Sequence, residues 1–489
     1  MITARLFPLE LHRLLQSRLT WLVIALSALS PLAGLVLYKP ASAGTMLSVY
    51  LANPAIAGGA VSGILFGALT IYERSRSLQR RTAVLVSAVL SPLDLALAQM
   101  LALTAAAFLA LGLTMAAWLP VSIKLIGSVF DSFDYVLAYL IFMGLALPLA
   151  ILSAGAVCQF TGRADLSLVC FSAFAGLSLT VWADNWQLCW LNPCVWALSD
   201  DFSNLRIFRS AAYMRFTWLT ALTGIWAFSR LCIRQYGKGI LASLARSMRR
   251  VYRPVAAALL LALSVTVGIS QPLVDHSNPD ETIASFLELP YLENVLCSGR
   301  SAQVFPNTAL GTVSGRASFQ FENTSGQQQT AAFGINPGYT VSSVQANGVG
   351  VPFSVSSYQE FNEAMLKVFL PAENEIELTV EYSGFPQEDR NSSSMQGRTE
   401  ISSEYLCLEN AALSPRLMNV LPDGGMLPAA IEITLPASMT VIPFGTGEAT
   451  AAAHNNDGTT TWRYQDNGAG GILYAGDYIR QDIEGGGIS

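Results

Sequence analysis

The chain has 489 residues, 52% of them hydrophobic and 13% charged, with mean hydropathy +0.42. Soluble domains carry about 25% charged residues, so this composition argues against an ordinary water-soluble protein. Residues 1–270 hold 20 Lys+Arg against 9 Asp+Glu, and residues 271–489 hold 8 against 25. That split implies two domains in two environments, and the acidic second half argues against nucleic-acid binding, which needs basic patches.

Residues 5–19 place Leu6, Leu9, Leu11, Leu14, Leu15 and Leu19 at helical spacing between charges. The pattern predicts an amphipathic helix over residues 1–19, lying along a membrane interface. Arg5, Arg13 and Arg18 precede a long apolar run without a clear cleavage site, so that run is expected to be a retained span. The apolar stretches predict spans at about Trp21–Tyr38, Val49–Tyr72, Leu95–Leu119, Tyr135–Cys158 (kinked at Pro148), Leu166–Trp182 and Phe216–Ile233. A seventh, from Val255 to Ser270, follows the basic segment containing Arg246, Arg249, Arg250 and Arg253. Residues 74–94 are too interrupted to span and predict a short helix at the membrane face. The loop ADNWQLCWLNPCVWALSDD carries tryptophans suited to the headgroup layer, with part of it re-entering the membrane. Arg215 is expected to snorkel to the headgroups.

With the N-terminus inside, the inside segments carry 15 Lys+Arg and the outside loops carry 4, namely Lys39, Lys124, Arg206 and Arg209. This bias predicts a cytoplasmic N-terminus, a multi-pass cell-membrane protein and an extracytoplasmic second half. An oxidising exterior would permit a disulfide between Cys189 and Cys194, and free thiols packed as small hydrophobes are the alternative.

The entry helix, the second span ending in Tyr72-Glu73-Arg74, the basic turn and the SPLD segment resemble type-2 ABC transporter permeases over residues 1–235. Glu73, Arg74, Arg76, Arg80, Arg81, Ser91, Pro92 and Asp94 stand where that family has an acidic residue, basic residues and a small-residue helix ending in proline. The resemblance implies a six-span permease body over 20–235 whose Glu73, Arg74, Arg76, Arg80, Arg81 and Asp94 contact a separate ATPase subunit. It also implies two membrane halves, as a homo- or heterodimer. No G-x-x-x-x-G-K-[ST] occurs, so no cofactor is expected on this chain and ATP is expected on the partner.

After the basic segment and seventh span (236–271), residues 272–311 read as a linker with a weak helical pattern near Glu281–Val295. From Ala317 the period becomes two, and ASFQFEN, QTAAFGIN, YTVSSVQANG, MLKVFL, EIELTVEYSG, EYLCLEN, AIEITLP, TTTWRYQ and GILYAGDY predict strands. Asn336-Pro337-Gly338 and Asn347-Gly348 mark turns between them. The fold class is therefore an α-helical multispan membrane domain of about seven spans followed by an all-β extracytoplasmic domain over 312–489, a sandwich or curved sheet. Glu373, Glu375, Glu377 and Glu381 fit a solvated strand face or a calcium site. Asn323-Thr324-Ser325 and Asn391-Ser392-Ser393 match glycosylation acceptors.

INPGYTVSSVQANG, VFLPAENEIELTVEYSGFP, EYLCLENAALSPR and IEITLPASMTVIPFG, in that order, resemble the N-terminal β domain of aminopeptidase N-like zinc metallopeptidases. That family's chemistry requires H-E-x-x-H on a helix. Here His12, His276 and His454 are isolated and none is followed by Glu, so no metal site, no catalytic residues and no peptidase activity are expected. The expected function is the membrane subunit of an ABC-type exporter with an extracytoplasmic β binding or docking module. The alternatives are a membrane-anchored metallopeptidase truncated before its zinc domain, and a membrane-tethered scaffold without transport.

Overall fold

The structure is a computed structural model that describes residues 2–79, 92–183, 185, 187–195, 197–200, 203–231, 251–270, 291–357, 364–387, 399–419, 428–443, 449–466 and 471–478. Contacts divide the chain into a helical unit, Met1–Gln271, and a strand unit, Pro272–Ser489.

The helical unit contains α1 (Ile2–Leu15), α2 (Arg18–Leu29), α3 (Leu32–Val36), α4 (Asn53–Gln79) and α5 (Pro92–Ile126). It continues with α6 (Ser132–Ala138), α7 (Ala146–Thr161), α8 (Ala164–Leu179), α9 (Leu205–Leu231) and α10 (Tyr252–Ile269). Among the described residues, four helical stretches are long and apolar enough to cross a membrane: Arg18–Val36, Ser48–Arg76, Leu93–Val129 and Ser132–Thr161. Ala164–Leu179 and Pro254–Ile269 are shorter apolar helices. The helix expected at Phe216–Ile233 begins eleven residues earlier, at Leu205, and carries Arg206, Arg209, Arg215 and Arg230. The short helix expected within 74–94 falls largely on residues 80–91, outside the described residues, as does the basic segment 232–250.

Two π-helical turns interrupt the bundle, Ser48–Ala52 before α4 and Tyr139–Gly144 between α6 and α7. The second lies just ahead of Pro148, the expected kink. Proline lacks the N–H that would bond the carbonyl four residues back, and the widened turn, with Leu145 N donating to Leu140 O at 3.1 Å, absorbs the irregularity upstream.

Small residues bring α4 against its neighbours. A Cβ on Gly59 would stand 2.6 Å from the carbonyl oxygen of Phe142, and one on Gly67 would stand 2.1 Å from the ring of Phe171. Gly59, Gly63 and Gly67 recur every fourth residue, so they share one face of α4. The last helix is packed and not merely adjacent. Ser264 Oγ donates to Thr217 O at 2.9 Å, and Leu261 fills the space above Gly224.

The strand unit contains β1 (Val295–Asn307), β2 (Thr312–Asn323), β3 (Gln329–Ile335), β4 (Tyr339–Ala346), β5 (Val349–Gly350), β6 (Phe353–Ser357), β7 (Ala364–Leu370) and β8 (Glu375–Gly384). It continues with β9 (Glu400–Ile401), β10 (Tyr405–Glu409), β11 (Arg416–Leu417), β12 (Ala429–Pro436), β13 (Thr440–Pro443), β14 (Thr450–His454), β15 (Thr459–Asp466) and β16 (Ile472–Gly476). An eight-stranded sheet runs β14-β15-β12-β1-β2-β8-β4-β5, and two four-stranded sheets run β13-β16-β10-β9 and β11-β3-β7-β6. Their inner faces meet in one core that includes Phe319, Phe333, Leu366, Leu378, Leu406 and Ile431. Each such side chain contributes about 1.5–3 kcal/mol on burial. In β12 the alternation is complete, with Ala429, Ile431, Ile433 and Leu435 inside. The expected Asn347-Gly348 turn joins β4 to β5, both residues having positive φ (51° and 76°).

The linker expected at 272–311 is corrected by β1, which already begins at Val295 and pairs with β2 along its length. A register shift between Cys297 and Gly299 breaks the period of two and masked the strand.

A bulkier residue at Gly59 has no room beside backbone. Gly59→Leu is expected to destabilise the helical unit by about 1–3 kcal/mol, the usual cost of overpacking. A thermal-unfolding midpoint equal to wild type in detergent would contradict the close approach of α4 to the π turn.

Candidate functional site

Among the described residues, the helical unit buries Glu73, Arg206, Arg215 and Arg230. Buried charge needs partners, so the way each is held indicates what the bundle is built around.

Glu73 lies near the end of α4, where α1 and α5 close over it. Arg13 of α1 donates from Nη1 to Glu73 Oε2 at 2.7 Å and from Nε to Glu10 Oε2 at 2.9 Å. Arg76 Nη1 lies 3.6 Å from Glu73 Oε1. The Glu10–Arg13 and Glu73–Arg76 pairs are each three residues apart on a helix, which places their side chains together. Burial works against the Arg13 charge, but the hydrogen bond to Glu73 and the charge of Glu10 outweigh it and hold the guanidinium above its ordinary value. Arg74 turns to α5, where Nη1 donates to Gln99 Oε1 at 3.4 Å. Glu10, Arg13, Thr70, Glu73, Arg74 and Gln99 line a cleft between α1, α4 and α5.

Of the expected contact residues, Glu73 and Arg74 line this cleft and Arg76 pairs with Glu73. Asp94 stands half-buried in the first turn of α5, and Arg80 and Arg81 lie outside the described residues. Arg13, Glu10 and Gln99 were not expected here. The three-residue spacing of Glu10 and Arg13 is their only local signal, because the partner Glu73 is 60 positions away.

The expectation that Arg215 snorkels is overturned. Its side chain is 0% exposed, and it donates from Nη1 to Trp190 O at 2.7 Å and from Nη2 to Phe142 O at 2.8 Å. It stands eleven residues into α9, about 15 Å from the helix start, with its guanidinium enclosed by protein. The tryptophan-rich loop accordingly enters the bundle. Cys189, Trp190 and Leu191 are fully buried, and the Trp190 ring stacks on Phe174 with centroids 4.6 Å apart. Ser178 and Asn192 bond within this packing at 3.0 Å.

Cys189 is buried and Cys194 half-buried, and no disulfide is drawn between them in this structure. Cys189 packs as a small hydrophobe beside Trp190. In the strand unit, burial pushes the Cys297 thiol up to about 11. Asn323 is fully buried and donates to Gln327 O and Pro371 O, so its side chain is not presented as a glycosylation acceptor. Asn391 lies outside the described residues. Glu375 and Glu377 line the exposed face of β8, and Glu381 faces Arg316 at 3.7 Å. Among the described residues no group of three or more His, Cys, Asp and Glu could hold a metal ion. His12 bonds Gln16, His454 bonds Thr460, and His276 lies outside the described residues.

No family model matches the chain, and no curated protein matches it. Among solved structures it is similar to an M1 zinc metallopeptidase from Deinococcus radiodurans, with 16% identity over 38% of this chain and 43% of that one and a TM-score of 0.29. A variant of the Deinococcus radiodurans enzyme bound to a Tyr-Ser-Ala substrate gives 19% identity, the same coverages and a TM-score of 0.28. Leukotriene A4 hydrolase from Saccharomyces cerevisiae gives 10% identity over 41% of this chain and 32% of that one, with a TM-score of 0.25. The chain thus spans less than half the length of these proteins.

Two substitutions test the buried charges. Arg215→Leu strands two buried carbonyls, each costing about 1–3 kcal/mol, and is expected to lower the thermal midpoint more than Arg215→Lys, which can still serve one of them. Equal midpoints for the two variants would contradict the two-carbonyl arrangement. Arg13→Gln should free α1 for proteolysis, and a double-mutant cycle with Glu73→Gln should give a coupling of about 0.5–1 kcal/mol, reduced because Arg13 is half-exposed. A coupling of zero would remove Arg13 as the anchor.

Proposed function

We propose that the chain is the membrane subunit of an ABC-type exporter whose ATP is hydrolysed by a separate subunit. The observation that carries this reading is the ionic clamp of Arg13 and Arg76 on Glu73. It fixes the entry helix α1 to the end of α4, where the chain runs on into Arg80 and Arg81. A membrane subunit driven from outside itself needs a stiff, charged protrusion to receive motion. An ion-paired helix corner followed in sequence by two further arginines supplies one.

In this reading the basic end of the helices is cytoplasmic. The bias of 15 Lys+Arg on the inside segments against 4 on the outside loops supports that orientation. The seven expected spans then cross the bilayer, and the strand unit lies outside as a binding or docking module. Two membrane halves would form the transporter.

The test is purification of the full chain from its native membranes. An ATPase subunit should come with it, and lipid-reconstituted complex should hydrolyse ATP. Reversing Arg76, Arg80 and Arg81 to Glu should reduce turnover at least tenfold while leaving membrane insertion intact, the order expected when several charge-assisted contacts are lost. Correctly inserted protein that brings no ATPase, or charge-reversed protein with unchanged turnover, would sink the reading.

A further inference from the structure

Among the described residues, β6 ends the sheet β11-β3-β7-β6 and β5 ends the eight-stranded sheet. Only Val351 and Pro352 separate these strands, so the edges of two sheets meet at one corner of the strand unit. An unpaired edge invites another strand, and proteins blunt it with short strands, bulges, prolines or charge. Here β9 and β11 have two residues each, β14 is bulged between Ala451 and Ala453, and β13 ends in Pro443. β6 has none of these devices. It runs for five residues, pairs with β7 in unbroken register and carries no charge.

Phe369 N donates to Pro352 O at 3.2 Å, which makes these two residues a hydrogen-bonded pair of the β6–β7 ladder. Bonded and non-bonded pairs alternate, so the next bonded pairs are Ser354 with Lys367 and Ser356 with Met365. The N–H and C=O of Phe353 and Val355 therefore point away from β7, toward the edge. The side chains of Phe353 and Val355 share a face with buried Val368 and Leu366, yet they stand 38% and 46% exposed.

Charge and length select the occupant of this edge. No Asp, Glu, Lys, Arg or His occurs from Asn323 to Gln359, whereas residues 271–489 as a whole carry 8 Lys+Arg and 25 Asp+Glu. Two copies of so acidic a unit repel each other through most approaches and meet closely on a neutral side. The only charge that β7 places beside the edge is Lys367, which is positive. Five residues extend about 17 Å, too short a seam to bury the roughly 1,200 Å² of a stable soluble complex. A free peptide would bind weakly there, but a copy held in the same membrane pairs at high effective concentration.

We propose that the β6 edges of two copies of this chain pair antiparallel about a two-fold axis. The register that uses every outward group sets Phe353 of each copy opposite Val355 of the other, with Ser354 facing its own counterpart. Each exposed phenyl ring then gains a β-branched neighbour across the seam. The same patch serves on both sides, so the contact closes at two copies. The inference rests on the reading that two membrane halves come together, here as identical chains, and it needs no ATPase.

The test is oxidative cross-linking of the full chain in lipid vesicles with copper phenanthroline. In the proposed register Ser354 and its counterpart form a non-bonded pair with Cα atoms about 4.5 Å apart, within disulfide reach. Ser354→Cys should give cross-linked dimer well above the wild-type level, and Thr450→Cys, on the exposed edge of β14, should not. Adding Val355→Pro to Ser354→Cys removes an outward N–H from each copy and no β6–β7 bond. Cross-linking should then fall about tenfold or more while the thermal midpoint in detergent holds. If Val355→Pro lowers the midpoint, the contrast between Ser354→Cys and Thr450→Cys decides. Native mass spectrometry supplies the oligomeric state of the same samples. Dimers without the Ser354→Cys cross-link overturn the β6 pairing and leave the two membrane halves standing, whereas monomers overturn both. A Ser354→Cys thiol that is shielded from maleimide without cross-linking means that something else covers the edge, and this also overturns the proposal. So does cross-linking that Val355→Pro leaves unchanged.

Discussion

A guanidinium buried away from water must take its acceptors from the protein, and Arg215 imposes that requirement on the helical unit. Its two donors end on backbone carbonyls from distant parts of the chain, Phe142 in a π turn and Trp190 in a loop. The widened turn before Pro148 and the inserted tryptophan loop are two ways of presenting those carbonyls. Helix α4 meets the same pieces from its other side, because Gly59 lets it approach the Phe142 carbonyl and Gly63 leaves space for Leu191. The irregular turn, the inserted loop and the small-residue face of α4 thus meet around one buried charge.

The two buried-arginine environments on α9 differ in kind. Arg215 has two full carbonyl partners and serves as a fastening. Arg230, fifteen residues and about 22 Å along the same helix, has neutral side-chain partners and a like-charged neighbour. The first is fastened by backbone carbonyls, whereas the second, among the described residues, is held by a side-chain amide, a carbonyl and an indole ring. Between them α9 also receives α10 through Thr217 and Gly224, so a single helix connects the fastening, the basic end and the last helix of the unit.

Much of this architecture was legible in the sequence, for reasons tied to particular residues. Apolar length disclosed the helices, and strict alternation disclosed β12 and β8. Asn347-Gly348 announced its turn because few other dipeptides accept two positive φ angles. What could not be read depended on partners far away in the chain. Glu73 and Arg76 were reached through the resemblance of their segment to a permease family, whereas Arg13 was noted only as a flank of the first apolar run. Arg215 was visible as a charge near a span, yet the carbonyls that receive it lie 25 and 73 residues away. β1 was hidden by a local irregularity, since its bulge at Cys297–Gly299 shifts the side-chain alternation midway. Asn323 matched a surface motif although its amide bonds are wholly internal.

The pairing of β1 has a temporal side. β1 and β12 run parallel, with Arg300 opposite Ala429, so the central sheet joins residues 129 positions apart. At synthesis rates of about 5–20 residues per second, the first strand waits roughly 6–26 s for this neighbour. Until then the β1 edge toward β12 is an open template for mispairing. The strand unit must therefore complete its main sheet late, after most of its length has emerged, and antiparallel pairing with β2 and β8 is what shelters the other edge during the wait.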